Sequence, residues 1–113
     1  MKVFTFSDVE AKEADEGASM LKVRWLITKE MGAPNFAMRL FEMEPNGNSP
    51  LHTHPWEHEV FILEGEGIVV AKDGEKKIKA GSVIFIAPNE LHQIKNNSKK
   101  ILKFLCLVPI RDK

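Results

Sequence analysis

The stretch that decides the fold is His52-Thr53-His54-Pro55-Trp56-Glu57-His58-Glu59-Val60-Phe61-Ile62-Leu63-Glu64. Three of the chain's four histidines fall in its first seven residues, and the fourth, His92, stands alone further on. On an extended chain, residues two apart share a face, so His52 and His54 project together while Thr53 faces away. His58 keeps the same even parity, although Pro55 predicts a turn between it and the pair. Glu57 and Glu59 have the opposite parity and are expected to point away from the histidines.

Working outward, the rest of the chain also reads as strands. Met20 to Thr28 alternates bulk (Leu21, Val23, Trp25) with charge (Lys22, Arg24), the period-two pattern of a half-buried strand. Gly32-Ala33-Pro34 breaks the chain before a second strand, Asn35 to Glu44, and residues 45–50 (PNGNSP) have turn chemistry throughout. His58 to Glu64 is a strand, Gly65-Glu66-Gly67 a turn, and Ile68 to Ala71 the returning strand. Asp73-Gly74 is a hairpin signal leading into Glu75 to Ala80. The continuous apolar run Val83-Ile84-Phe85-Ile86 predicts a short strand covered on both faces. Lys100 to Val108 is the last strand. Upstream, Val3, Phe4 and Phe6 suggest an opening strand or arm, and residues 11–17 (AKEADEG) a surface loop. No sustained 3.6-residue period appears, so the expectation is an all-β sandwich or barrel.

The 113 residues fit one domain, and 43% hydrophobic with 28% charged residues is ordinary for a globular protein with a core. Sixteen basic residues balance sixteen acidic ones. With no broad basic field, neither a nucleic-acid nor a membrane partner is expected. The lysines at 76, 77, 79, 95, 99 and 100 lack interleaved stacking aromatics and read as a solvated face. A single cysteine, Cys106, excludes an internal disulfide, and residues 1–10 lack the apolar stretch of a signal peptide, so the expected compartment is the cytoplasm.

The histidines carry the chemistry. In residues 92–95 the polar Gln93 and Lys95 alternate with Ile94, which places His92 and Ile94 on the inner face, and four imidazoles can then converge inside one barrel. Neutral imidazole is a common ligand for Zn, Fe, Cu and Ni, and four without a nearby cysteine favour one mononuclear ion on His52, His54, His58 and His92.

At these residues the sequence resembles the cupins. Residues 52–65 (HTHPWEHEVFILEG) resemble the first cupin motif, G(X)5HXH(X)3-4E(X)6G, and residues 81–96 (GSVIFIAPNELHQIKN) the second, G(X)5PXG(X)2H(X)3N. His58 stands where the family usually has its ligand Glu, with Glu59 fitting the looser spacing. Gly81, His92 and Asn96 match, Ala87 replaces the motif's Pro, and Asn46 and Asn89 replace glycines. Asn is the residue that best tolerates a glycine-like backbone. The likeness extends through residues 33–45 (APNFAMRLFEMEP) and 104–109 (FLCLVP), and is strongest to small single-domain tetrahistidine cupins, manganese-binding ones among them. It implies a jelly-roll-like β-barrel over 31–108 after an N-terminal arm and strands over 1–30, the four-histidine metal site, and a homodimer. For the dimer, the bulk of Leu21, Val23, Trp25, Phe61 and Leu63 is expected to exceed what one barrel interior holds, and the N-terminal strand is expected to cross to the partner.

On the last strand, Lys103 facing solvent sends Phe104, Cys106 and Val108 inward. Ile94, Phe104 and Val60 are expected as apolar pocket walls, and Cys106 as a neighbour of the metal or as inert packing. Trp56 either roofs the cavity or covers the barrel mouth. Arg39 either reaches the rim to meet an anionic substrate or forms a structural ion pair. The ion expected from the resemblance is Mn, and Fe is its companion choice. All-imidazole ligation by itself favours Ni, Cu, Zn or Fe. The leading functional expectation is a dioxygenase-like oxidoreductase acting on a small apolar or aromatic substrate, with the metal carrying the reaction because no evident general base faces the pocket. Its rivals are a non-catalytic binding or sensing module and a metal-dependent sugar isomerase. The apolar walls and the absence of tyrosine weigh against the isomerase.

Overall fold

The computed structural model describes residues 1–111. Nine strands are present among them: β1 (Lys12–Glu13), β2 (Ser19–Ile27), β3 (Phe36–Asn48), β4 (His58–Glu64), β5 (Glu66–Ala71), β6 (Gly74–Lys79), β7 (Val83–Ile86), β8 (His92–Lys95) and β9 (Leu102–Pro109). Only two short 3-10 turns, Phe6–Asp8 and Lys29–Met31, interrupt them. The strands form one antiparallel sheet in the order β6-β5-β8-β3-β9-β4-β7, with β2 on β3 and β1 on β2. No described helix is long and apolar enough to cross a membrane.

Long strands that change partners curl this sheet. The first part of β3, from Phe36 to Met43, pairs with β9, whereas its far end pairs Asn48 with Lys95 of β8. The bend lies at Pro45-Asn46-Gly47, where Asn46 takes a left-handed φ of 69°. A turn was expected over residues 45–50, but the chain stays extended to Asn48, because Asn46 supplies the positive φ of a kink without ending the strand. The Gly65-Glu66-Gly67 turn is likewise reduced to Gly65, at φ 89°, with its neighbours already in β4 and β5. A Cβ on Gly65 would strike the Ile101 carbonyl, so glycine is required for this close approach.

Alternation along the strands sets the core. Leu21 and Val23 of β2, Met43 of β3, Val60 and Ile62 of β4, Ile94 of β8 and Leu102, Phe104 and Cys106 of β9 all point inward and are buried. Phe41 stacks on Phe104 with ring centroids 5.2 Å apart. Val108 is also buried, but in a separate small cluster with Ala37 and Ile110 near one end of the sheet.

Two expectations change here. The run over residues 83–86 is not covered on both faces: Val83 is 76% and Phe85 63% exposed on the outer face of the sheet, as are Phe61 and Leu63 of the neighbouring β4, while Ile86 is buried in the core and Ile84 packs against it. Leu21 and Val23 are not surplus bulk, since β2 pairs with β3 of the same chain and lays both into its own core. Trp25, Phe61 and Leu63 do remain substantially exposed. In the arm, Val3, Phe4 and Phe6 are exposed, and part of the expected surface loop forms β1.

Candidate metal centre

The four histidines gather at one end of the barrel interior from three parts of the chain. His58 opens β4 and His92 opens β8, while His52 and His54 lie on the connection from β3. An isolated bridge fixes that connection: the His52 N–H donates to the His92 carbonyl at 3.2 Å, and the His92 N–H returns to the His52 carbonyl at 3.1 Å. One step on, the Asn89 N–H donates to the His54 carbonyl at 2.7 Å. Asn89 adopts φ 66°, so both positions where the second-motif and first-motif glycines are replaced by asparagine hold a glycine-like backbone.

Parity thus brings the rings together as expected. Nε2 of His52 lies 3.1 Å from Nε2 of His92, and Nε2 of His58 lies 2.7 Å from Nε2 of His54. Ring centroids of His54 stand 4.4 Å from His58 and 4.9 Å from both His52 and His92. His52, His54 and His92 offer ligand nitrogens that all lie within 4.8 Å of one another, a group that could hold a metal ion. His58 flanks this trio through its contact with His54. Glu57 and Glu59 are exposed on the outside, away from the rings.

Hydrogen bonds fix which nitrogens face inward. Nδ1 of His54 donates to the Trp56 carbonyl at 2.8 Å, and Nδ1 of His92 donates to the Glu90 carbonyl at 2.8 Å. A carbonyl only accepts, so both Nδ1 atoms carry the proton and each neutral ring presents an Nε2 lone pair to the cluster. This is how backbone carbonyls orient metal-binding histidines, and the donor set therefore fits a transition ion. Burial lowers the pKa of His52, with the neighbouring His92 and His54 acting in the same direction. Burial lowers His54 as well, against an opposing pull from its bond to Trp56. His58 is pushed down to about 3, by burial first and then by the charge of Arg39. Neutral imidazole is the form that binds metal.

Behind His58 lies a second small cluster. Nη2 of Arg39 is 3.1 Å from Nδ1 of His58 and 3.0 Å from Sγ of Cys106, and that sulfur is 3.1 Å from the same Nδ1. The guanidinium also lies over the rings of Phe41 and Trp25, at 4.9 and 5.3 Å. Burial raises the Cys106 pKa, with Arg39 opposing it.

A narrow cavity of about 70 Å³ opens over the histidines. Val60, Ile86, Ile94 and Phe104 form its apolar walls, and His52, His58, His92, Arg39 and Cys106 its polar side. Ile94, Phe104, Cys106 and Arg39 are therefore placed together beside the rings. Trp56 is not among the lining residues. Its indole stacks flat on His54, with centroids 4.5 Å apart and 6° between planes, and Arg111 covers its far side at 3.7 Å. Arg39 has no carboxylate within ion-pair distance among the described residues. The cavity also takes in Ala14, Asp15, Ser49 and Pro50. These were missed because loop residues have no parity to read, and Asp15 sat in a run whose composition indicated only solvent.

The comparisons with known proteins agree with this geometry. The family model described as "Cupin domain" matches residues 39–108. A curated relative, the "Oxalate-binding protein" of Thermotoga maritima, is 33% identical over 96 residues, covering 81% of this chain and 78% of the relative. The "1-methylthio-D-xylulose 5-phosphate methylsulfurylase" of Rhodospirillum rubrum is 32% identical over 71 residues, 63% of this chain but only 46% of that protein. Among solved structures, the polyketide cyclase RemF from Streptomyces resistomycificus superposes with a TM-score of 0.92 at 34% identity, covering 98% of this chain and 80% of that one. The motif match, the sheet order and the histidine cluster meet in one conclusion: the chain belongs to the cupin family.

Proposed function

We propose that His52, His54, His58 and His92 together hold one divalent transition ion, and that the chain acts, oxygenase-like, on a small and largely apolar substrate. The observation that carries this reading is the pair of locked rings, His54 and His92, whose Nε2 lone pairs face a cluster at the floor of an apolar cavity. Mn or Fe is the proposed ion in the cell, and Zn, Ni or Cu are ions that the same donors accept. Such an ion supplies Lewis-acid chemistry and, for Mn or Fe, redox chemistry.

The chain's own residues set the conditions. The carbonyls of Trp56 and Glu90 hold two ligand rings in the binding tautomer. Val60, Ile94 and Phe104 exclude water and favour an apolar substrate body. Asp15 is the one carboxylate lining the cavity, and Ser49 offers a hydroxyl at its edge. That is sparse provision for the several hydroxyls of a sugar, which argues against an isomerase of sugars. A second reading, a non-catalytic ligand holder, is favoured by the 33% identity to a protein named for binding oxalate.

Metal analysis on untagged protein, followed by an oxygen-uptake screen with Mn- and Fe-loaded samples over aromatic and alkene substrates, tests the proposal. Replacing any one of the four histidines with Ala should weaken metal binding by about 10- to 100-fold or more. Phe104→Ala should alter substrate range or rate at unchanged metal content. Undiminished metal in all four histidine variants refutes the site. Absence of turnover in parent and Phe104→Ala alike, with tight binding of a polar metabolite, transfers the assignment to the binding module.

A further inference from the structure

Arg39 is a cation placed where a cation needs a reason. It lies on the inward face of β3, its guanidinium beside the two aromatic rings of Trp25 and Phe41, and it lines the cavity over the histidines. A guanidinium carries five N–H donors and a charge that persists at every physiological pH. Two of its contacts are accounted for, and both go from Nη2 to groups that carry no charge in their ordinary forms, the His58 ring and the Cys106 thiol. Nε is buried and has no hydrogen-bond partner. The ion pairs present among the described residues join Arg24 to Glu42 and Lys103 to Glu64, and neither involves Arg39. Removing an ionised group from water is costly unless an opposite charge meets it, and among the described residues no carboxylate comes within ion-pair distance of Arg39.

We propose that Arg39 is the anion-recognising residue of the cavity, and that the ligand is a small carboxylate or enolate: one anionic oxygen group on an apolar body. The inference rests on the proposed reading of the cavity as a substrate site and adds the substrate's charge. The walls decide the rest of the class. Val60, Ile94 and Phe104 offer nothing to a second charged group, and Asp15 at the same cavity repels one. An anionic oxygen in the cavity meets the guanidinium where it lines the wall, beside its contacts with His58 and Cys106. Its apolar remainder then packs on the walls. Arg rather than Lys suits this position because a planar fork both lies against aromatic rings and matches a carboxylate.

The test compares benzoate with its neutral isostere benzamide, by calorimetry on zinc-loaded, full-length protein and again on metal-free protein. Benzoate should bind about tenfold or more tightly than benzamide to the parent, the scale of one charge-assisted hydrogen bond. In metal-free Arg39→Met the ratio should fall to near one at unchanged benzamide affinity, and in the zinc-loaded variant, where the ion itself attracts benzoate, it should fall by a similar factor. In Arg39→Lys it should fall part of the way. Equal affinities in the parent, or a ratio unchanged in Arg39→Met, overturns the proposal. If Arg39→Met does not fold, Arg39→Lys decides: a lower ratio supports the assignment and an unchanged one overturns it. The two readings fail separately. A parent that consumes oxygen with neutral substrates but does not prefer benzoate loses the Arg39 assignment alone. A parent that holds no metal loses the proposed function, and the benzoate ratio of the metal-free protein still judges Arg39.

Discussion

The metal-free protein should lose stability as the pH falls below neutrality, and His58 is the main reason. In the fold this ring is 8% exposed and lies 3.1 Å from the Arg39 guanidinium, so its pKa is pushed down from 6.5 to about 3. In the unfolded chain it returns to the ordinary histidine value. Between those two values the unfolded chain binds a proton that the folded one refuses, so stability rises with pH across that window. The contribution is complete above about pH 6.5 and is lost as pH falls towards 3. Integrating from pH 7 to pH 5 gives about 2 kcal/mol from His58 alone. His52 and His54, whose pKa values are also lowered, act in the same direction. Urea unfolding of chelator-treated protein at pH 7, 6 and 5 measures the loss, and His58→Gln supplies the control. The variant should show a clearly flatter pH dependence than the parent. Identical slopes in the two proteins would refute the reasoning, because the burial and charge placed on His58 would then have no thermodynamic consequence.

Three further outcomes follow from other parts of the structure. Glu59→Gln should leave metal content unchanged by elemental analysis, since Glu59 sits on the exposed face of β4; loss of metal would mean that the carboxylate turns inward. Asn96→Ala should cost about 3 to 4 kcal/mol in denaturant unfolding. The side chain is 1% exposed and makes four hydrogen bonds, to the carbonyls of Met43 and Lys100 and to the N–H and hydroxyl of Ser98. A change below about 1 kcal/mol, the worth of a single bond, would contradict that accounting. The homodimer expected from the family resemblance would cover exposed Phe61, Leu63, Val83 and Phe85 on β4 and β7, and light scattering at micromolar concentration should give twice the chain mass. A monomeric mass would set it aside.

The fold and the histidine cluster were legible in the sequence because both depend on parity. A strand allows one pattern of in and out, and the hydrophobic alternation of β2, β4 and β9 fixed which residues face the core. His52, His54, His58 and His92 follow the same rule, with the left-handed Asn46 and Asn89 recognisable as substituted glycines. What parity could not supply was the identity of a neighbour across the sheet. That Arg39 meets His58 and Cys106 depends on β3 and β4 both pairing with β9, which sets Arg39 and Val60 each opposite Cys106. Coverage of Val83 and Phe85 failed for a related reason: an apolar run shows what a strand can bury, whereas the presence of a second layer on its outer face decides what it does bury, and Phe61 and Leu63 on β4 are left exposed in the same way. Asp15 and Trp56 lie outside regular alternation, so their positions depended on loop paths that composition does not encode.

The same hydrogen bonds that prepare two rings for metal leave the other two unprepared. With the protons of His54 and His92 committed to carbonyls, their Nε2 atoms can only accept. The contacts of 2.7 Å from His58 and 3.1 Å from His52 then require that these rings carry their protons on Nε2, since two facing lone pairs would repel. For His58 the assignment is doubly determined, because Nδ1 is needed to accept from Arg39. Ligation by His58 through Nε2 therefore requires its proton at Nδ1, where the guanidinium already points an N–H. Of the groups in contact with Nδ1, only the sulfur of Cys106 can accept that proton's hydrogen bond. If His58 joins the proposed centre through Nε2, its proton takes the place of the Arg39 N–H at Nδ1. Under the proposed assignments, a guanidinium displaced from Nδ1 would have one more donor free for an anion in the cavity.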